Sequence, residues 1–362
     1  MIEVTTSSRG QGMESLLAPL PRLTKQIAGI GGRLKDQVED FMVEEIPAYA
    51  PSGEGDFLYL WIEKRDLSAE FLLKTLAERL QVSKDAIGMA GLKDRRAVTR
   101  QWVSVPASAT NRLLAVDSAD LHILKQSRHS NKLRPGHLHG NRFSILIRDV
   151  DVDRLANAPA LIQHIRAAGF PNYYGEQRFG RDGETLELGL KLLGGDSPRL
   201  RNRFLQKLAL SAVQSALFNR HLASRLDDGL LHTVLAGDVM TKHPTGGLFV
   251  AKELAAEQAR YDRRETTPTG PMFGKKMFAA EGAAHLRELA TLERFNLTER
   301  SFSGFGKMLQ GTRRPLLVMA PDLESEVEGA NVRLRFTLPP GAYATVLLDE
   351  LMKAATDGSI AS

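Results

Sequence analysis

The chain has 362 residues, 43% hydrophobic and 25% charged, the balance of a soluble globular protein and a length that favours two domains over one. Lysine and arginine (48) exceed aspartate and glutamate (43), a mild basic bias that permits a nucleic-acid partner without requiring one. There are no cysteines, which excludes disulfides, thiolate zinc sites and thiol catalysis. The start, MIEVTTSSRGQGMESLL, lacks the basic-then-apolar pattern of a signal peptide, and no apolar run approaches the roughly 20 residues of a membrane span. A cytoplasmic protein without a membrane partner is therefore expected.

In chain order, FLYLWIEK (Phe57–Lys64) alternates with period two and is rich in aromatic and β-branched residues, which predicts a strand. Ser68 is placed to cap a helix, SAEFLLKTLAERLQV, in which Phe71, Leu72, Leu76 and Leu80 recur at helical spacing. Ser83 opens a second short helix that stops at glycine; RQWVSVP and NRFSILIRDV read as strands, and a helix is expected from about Asp153 to Ala168. The character then changes. GFPNYYGEQRFGRDG (Gly169–Gly183) is a loop rich in aromatics, glycine and arginine, followed from Ser197 by one long or two broken helices with a basic front. LLHTVLAGDVMTKHPTGGLFVA predicts a hairpin or small sheet, with more helix to about Leu309. VRLRFTLPPGAYATVLLDELMKAA then returns to the earlier style as a strand, a turn and a helix.

The glycine clusters GIGGR and GGLFV have neither the spacing of a dinucleotide fingerprint nor the Gly-Lys-Ser/Thr of a phosphate loop, so they are turns. His129, His137 and His139 lack metal-ligand spacing and fit a solvent edge or a phosphate contact better. Three basic patches carry more weight: Lys132, Arg134 and Arg142; Arg178 and Arg181 among Tyr173, Tyr174 and Phe179; and Arg199, Arg201, Arg203 and Lys207. Basic side chains neutralise phosphates and aromatics stack bases, which together favour RNA or DNA over a merely solvated face. Asp94 stands inside such a run, between Lys93, Arg95 and Arg96. It is either half of a structural ion pair in a turn or a carboxylate held ionised by its neighbours as a nucleophile, and spacing alone leaves both open.

The stretch AGLKDRRAVTRQW, which carries Asp94, resembles the G-x-K-D-x-x-A-x-T-x-Q motif of the TruD family of tRNA pseudouridine synthases. Further blocks in the family's order extend the resemblance over almost the whole chain: RLKDQVEDFMVEE (Arg33–Glu45), PSGEGDFLYLWIEK, KLRPGHLHGNRFSILIRDV, GFPNYYGEQRFG, SAVQSALFNRHLASRL and LPPGAYATVLLDEL. The resemblance implies an α+β protein. Its pseudouridine synthase core, a mixed sheet flanked by helices, would occupy residues 1–168 and 318–362, with an inserted, largely helical TRUD-type domain at 169–317. It implies isomerisation of uridine to pseudouridine in tRNA, at uridine 13 of the D arm, with a flipped-out base, no cofactor and no metal. Asp94 falls on the family's catalytic aspartate and Lys35 on the basic residue that pairs with it. Phe41, Asn141 and Phe143 fall on residues around the target base. Tyr343 stands where the family commonly has phenylalanine, so stacking survives and a hydroxyl is added. The substrate tRNA is the expected partner, and no obligatory protein partner is evident. The competing reading is a non-catalytic structured-RNA-binding protein that keeps the fold; it does not require Asp94.

Overall fold

The computed structural model describes residues 13–195 and 202–353. Their strands, in chain order, are β1 Phe41–Pro47, β2 Phe57–Arg65, β3 Gly88–Met89, β4 Val98–Pro106, β5 Leu121–His129 and β6 Leu138–Ile147. Then come β7 Phe170–Pro171, β8 Val239–Lys242, β9 Leu248–Val250, β10 Thr266–Met272, β11 Thr312–Pro315 and β12 Leu317–Val318, and finally β13 Glu324–Glu328 and β14 Asn331–Leu338. The described residues divide into two compact units: one holds 26–169 with the chain from Met319 onward, the other 170–318 together with the residues up to Lys25. This differs from a core that takes in residues 1–168 whole. Leu16 is buried in one apolar cluster with Leu186, Leu210, Val213 and Leu217, so 13–25 follow their apolar side chain into the second unit.

The first unit is built on a mixed sheet in the order β13-β14-β6-β1-β4-β2-β5, with β3 paired on β4. The β1–β4 pair is parallel and its neighbours are antiparallel. Alternation in β2 buries Leu58, Leu60 and Ile62 against helix α1, Ala69–Leu80. Ser68 caps that helix by accepting from Phe71 N–H at 3.1 Å. Leu72, Leu76 and Leu80 face the sheet, each worth about 1.5–3 kcal/mol when fully buried. Phe71, expected on that stripe, is 53% exposed, because the inward position next to Leu72 and Leu76 is taken by Thr75. The helix expected over 153–168 is broken into Val152–Leu155 and α2, Ala158–Ala168, with a proline in the first turn of the latter. The short helix expected after Ser83 is only a turn, Lys84–Ala86, before β3. β5 was not anticipated; three consecutive exposed residues at its centre hide the alternation. The last helix of the unit, Ala344–Met352, ties back to the first residues through Ile30 N–H to Leu351 O and Gly31 N–H to Met352 O, both at 3.0 Å.

In the second unit, helix α3 (Glu184–Leu193) packs on the 25-residue helix α4 (Arg203–Asp227). The basic front expected from Ser197 is described only from Asn202; Arg199 and Arg201 lie outside the described residues. A four-stranded antiparallel sheet, β11-β10-β8-β9, accompanies the helices of this unit. β8 and β9 are the expected hairpin, whereas β10 lies where helix was expected. Among the described residues no helix is long and apolar enough to cross a membrane.

Gly189 sets the distance between α3 and α4: a Cβ there would stand 2.2 Å from Ala209 O and 2.6 Å from Val213 Cγ2. Alanine should gain about 1 kcal/mol of helix propensity. Overpacking costs about 1–3 kcal/mol, and the backbone carbonyl cannot move aside. Gly189→Ala should therefore lower the thermal midpoint followed by circular dichroism; a raised midpoint would show that the helices part freely.

Candidate active site

Residues opposite one another in adjacent strands share a face of the sheet. The register puts Lys64 of β2 beside Thr99 of β4, Thr99 beside Val43 of β1, Val43 beside Phe143 of β6, and Phe143 beside Phe336 of β14. Two residues along, Ile62 pairs with Gln101, and Asn141 stands between Glu45 and Leu338. Aromatic rings cover one end of this face: Phe41 meets Phe143 edge-on at 6.2 Å, and Phe143 stacks on Phe336 at 5.2 Å. The Lys35 ammonium lies 4.5 Å from the centroid of Phe41, with Lys35 only 6% exposed. Its backbone is left-handed, φ 59°, a conformation that costs a non-glycine residue about 1–2 kcal/mol and persists only where the surroundings enforce it.

The segment after β3 crosses toward this face and carries Asp94. Lys93 reaches inward, its Nζ 3.0 Å from Glu45 Oε2, and both side chains are almost fully shielded from water. Trp102 N–H donates to the other Glu45 oxygen at 3.3 Å. Burial pushes the Glu45 carboxyl above the ordinary carboxylate range, and Lys93 opposes the shift. Lys64 is buried completely; its Nζ donates to Leu67 O at 2.6 Å and to Asp94 O at 2.9 Å. Burial pulls its pKa down to about 8, a shift that the charge of Asp94 resists and that of Lys93 reinforces. The cations beside Asp94 in sequence turn elsewhere: Arg95 to Asp66 at 3.7 Å, and Arg96 to the Asp36 carbonyl at 3.3 Å, next to Lys35. Asp94 itself is partly exposed.

Of the residues expected at the site, Phe41 touches both Lys35 and Phe143, and Asn141 lies on the same strand two residues before Phe143. The expected pairing of Lys35 with Asp94 is not made: among the described residues no carboxylate lies within 4.0 Å of Lys35 Nζ, which faces an aromatic ring instead. Tyr343 is half-buried at the residue preceding the Ala344–Met352 helix. Lys64, Glu45, Thr99 and Gln101 were missed. Among the described residues Thr99 Oγ1, Gln101 Nε2 and Asn141 Oδ1 are buried without a hydrogen-bond partner, and such a group costs about 1–3 kcal/mol. These atoms belong to one face, so the face is polar where a packed core would be apolar. Thr99 and Gln101 were in view as the last two fixed positions of the Asp94 motif. Lys64 occupies the buried phase of its strand, two residues on from Ile62, which is a legible anomaly.

One arginine of each of two basic patches is engaged within the protein. Arg142 pairs with Glu44 at 3.0 Å on the opposite sheet face. Arg178 turns inward to the hydroxyls of Ser211 and Ser215.

The family model described as tRNA pseudouridine synthase D (TruD) matches residues 21–204 and 198–351. A tRNA pseudouridine synthase D of Anaeromyxobacter sp. (strain Fw109-5) is 44% identical over 342 residues, covering 93% of this chain and 97% of that protein. A counterpart from Thermus thermophilus is 41% identical over 338 residues, 92% of each. The crystal structure of a putative tRNA pseudouridine synthase D from Methanosarcina mazei superposes with a TM-score of 0.75 at 24% identity, covering 98% of this chain and 99% of that one, so the fold is that of this family.

Lys64 yields a measurable linkage. Its folded pKa of about 8 lies below the ordinary 10.5, so the unfolded chain holds the extra proton between those values. Stability should therefore rise with pH across that window, by up to about 1.4 kcal/mol per pH unit. Below pH 8 both states are protonated and the burial cost is felt in full. Lys64→Met should flatten the rise in urea-unfolding experiments from pH 7 to 10.5. Parallel curves for the two proteins would mean that Lys64 is solvated.

Proposed function

Because the chain belongs to the tRNA pseudouridine synthase D family, we propose that it isomerises uridine to pseudouridine in tRNA, at uridine 13 of the D arm, with Asp94 as nucleophile. An Asp94 oxygen forms a bond to ribose C1′ while the bond from C1′ to uracil N1 breaks and N1 keeps the electron pair, or it adds to the uracil ring. On either route the C1′–N1 bond is broken and the base turns; C5 then bonds to C1′, the bond to Asp94 breaks and returns its electron pair to the carboxylate, the C5 proton leaves and N1 ends protonated. Atoms and electrons balance within the uridine, so the reaction draws on no external redox or group donor.

One observation supports this reading above the others. The motif residues Asp94, Thr99 and Gln101 border the sheet face that carries the buried rings of Phe41 and Phe143 and three buried polar atoms without partners among the described residues. A flipped base is held by stacking and by hydrogen bonds to its edge. In this reading Phe143 and Phe41 bear the uracil ring, Asn141 Oδ1 accepts from N3–H, and Lys35 contributes positive charge beside the ring. Tyr343 adds a further aromatic surface. A tRNA substrate is in keeping with a cytoplasmic protein.

Release of tritium from a tRNA transcript labelled at uridine C5 measures turnover. Asp94→Asn should reduce release to background, because an amide is a poor nucleophile, while RNA affinity in filter binding stays level or tightens slightly with one negative charge fewer. Replacing uridine 13 of the transcript by cytidine should remove the releasable label from the wild-type reaction. Substantial release by Asp94→Asn would take the nucleophile's role from Asp94, and release from the substituted transcript would move the site of reaction.

A further inference from the structure

A cavity of about 390 Å³ opens in the first unit away from the aromatic face, lined by Tyr49, His129, Asn131, Lys132, Arg134 and His137. Its wall is organised by hydrogen bonds. Tyr59 donates its hydroxyl proton to Asn131 O at 2.9 Å, and the Tyr49 hydroxyl lies 2.7 Å from His137 Nδ1. Ser52 N–H donates to His129 Nδ1 at 3.1 Å, which leaves the proton of that neutral ring on Nε2. The Tyr49 hydroxyl also lies 3.3 Å from that of Tyr59, which joins Tyr59, Tyr49 and His137 in one run of hydrogen bonds. Tyr49 stacks on His129 at 5.2 Å, so the rings hold one another in place. The result is a set of donors with no carboxylate in the lining.

Charge points the same way. Lys132 Nζ donates to the Asp85 carbonyl, a neutral partner that leaves its charge uncompensated. The Arg134 side chain is exposed and makes no hydrogen bond or ion pair among the described residues. Arg142, from the same basic stretch, is matched by Glu44. A cationic rim over fixed N–H donors is complementary to a tetrahedral oxyanion, and a guanidinium can hold two of its oxygens at once.

Position identifies which oxyanion. Gly136 N–H bonds to Ala90 O at 2.8 Å, tying the loop that carries Arg134 and His137 to the segment leading into Asp94. Four residues of extended chain span no more than about 14 Å, so the point where that loop is tied lies within that distance of Asp94. We propose that it is a second RNA subsite, which binds a backbone phosphodiester of the substrate other than that of the isomerised uridine, with Arg134 as its principal ligand. The inference rests on the reading that this chain modifies RNA. It assigns the residues outside the reacting base that set affinity and hold the strand in register.

The test compares binding and chemistry on one full-length tRNA transcript. Arg134→Ala should raise the filter-binding Kd about tenfold, the loss expected for one charge-assisted contact. It should also lower the slope of log Kd against log salt by about one unit, while the single-turnover rate at saturating RNA stays unchanged. Arg134→Lys should keep most of the slope. Lys74→Ala, an exposed residue of α1 paired with Glu78, removes the same net charge far from the cavity and controls for nonspecific attraction. If Arg134→Ala changes Kd and slope no more than Lys74→Ala does, the subsite is overturned; so it is if the saturating rate falls with the slope unmoved. Failure of the wild type to release tritium would instead overturn the catalytic reading, and that result is read without any Arg134 variant.

Discussion

The candidate site depends on two lysines whose charges are kept from water. Lys64 has no surface exposure, and Lys93 has almost none at its side chain. A buried ammonium must be matched by acceptors, and breaking a buried pair by removing one partner costs about 3–5 kcal/mol. Lys93 is matched by Glu45 from the middle of the sheet, Lys64 by the carbonyls of Leu67 and Asp94. Neither can be satisfied unless the segment 91–97 lies across strands β1, β4 and β2 in one particular way. Asp94 is therefore held by the requirements of its neighbours. Among the described residues its own carboxylate is left out of the structural ion pairs, which is the condition a reacting group needs.

The two faces of the sheet divide the polar residues between them. On one, Glu63, Arg100, Glu44 and Arg142 succeed one another across four strands, joined at 2.9, 3.6 and 3.0 Å. All but the buried Glu63 are partly exposed, so the pairs with Glu44 are worth little, yet the alternation of sign fixes the register of β2, β4, β1 and β6. Shifting any of these strands by one residue would bring the charged face inward and the aromatic face out. Order on the exposed side thus holds Phe143, Asn141 and Lys64 in line on the other.

Much of this was legible in the sequence, and the gaps have physical causes. Period-two alternation found β2, β4 and β6, and the hydroxyl of Ser68 marked the start of α1, because these signals are local. β10 was not legible. Helix was expected across it, and its sequence, TTPTGPM, carries two prolines and a glycine that are weak strand formers, yet all seven residues are buried. The glycine answers to a tertiary demand: a Cβ on Gly270 would stand 2.8 Å from both Leu316 Cδ2 and Phe218 Cε2. No local rule announces that a helix far back in the chain needs that space. The Asp94 motif located the loop but suggested the wrong partners. The adjacent cations Lys93, Arg95 and Arg96 turn to Glu45, Asp66 and the Asp36 carbonyl, and the backbone carbonyl of Asp94 is held by Lys64, thirty positions away. Lys35 was expected against Asp94; that it lies over the Phe41 ring, away from any carboxylate among the described residues, could be seen only in three dimensions.

The unpartnered atoms on the aromatic face bear on specificity as well as on binding. On the proposed reading Asn141 Oδ1, a buried acceptor, receives the N3–H of uracil. Cytosine has no hydrogen on N3 and would set one acceptor against another. A site built to hydrogen-bond a given group rejects an analogue that lacks it far more strongly than an apolar pocket rejects a change of shape, because the buried protein atom is left unpaired. The ring surfaces of Phe41 and Phe143 cannot make that distinction, since every base has a π-face. Discrimination then falls to a few polar atoms on the strands, whereas affinity comes from rings and cations that are indifferent to sequence. That separation suits an enzyme that must pick out a uridine within a large, uniformly charged RNA: the strand is captured by charge, and a base that cannot satisfy the buried acceptor is returned to its stack.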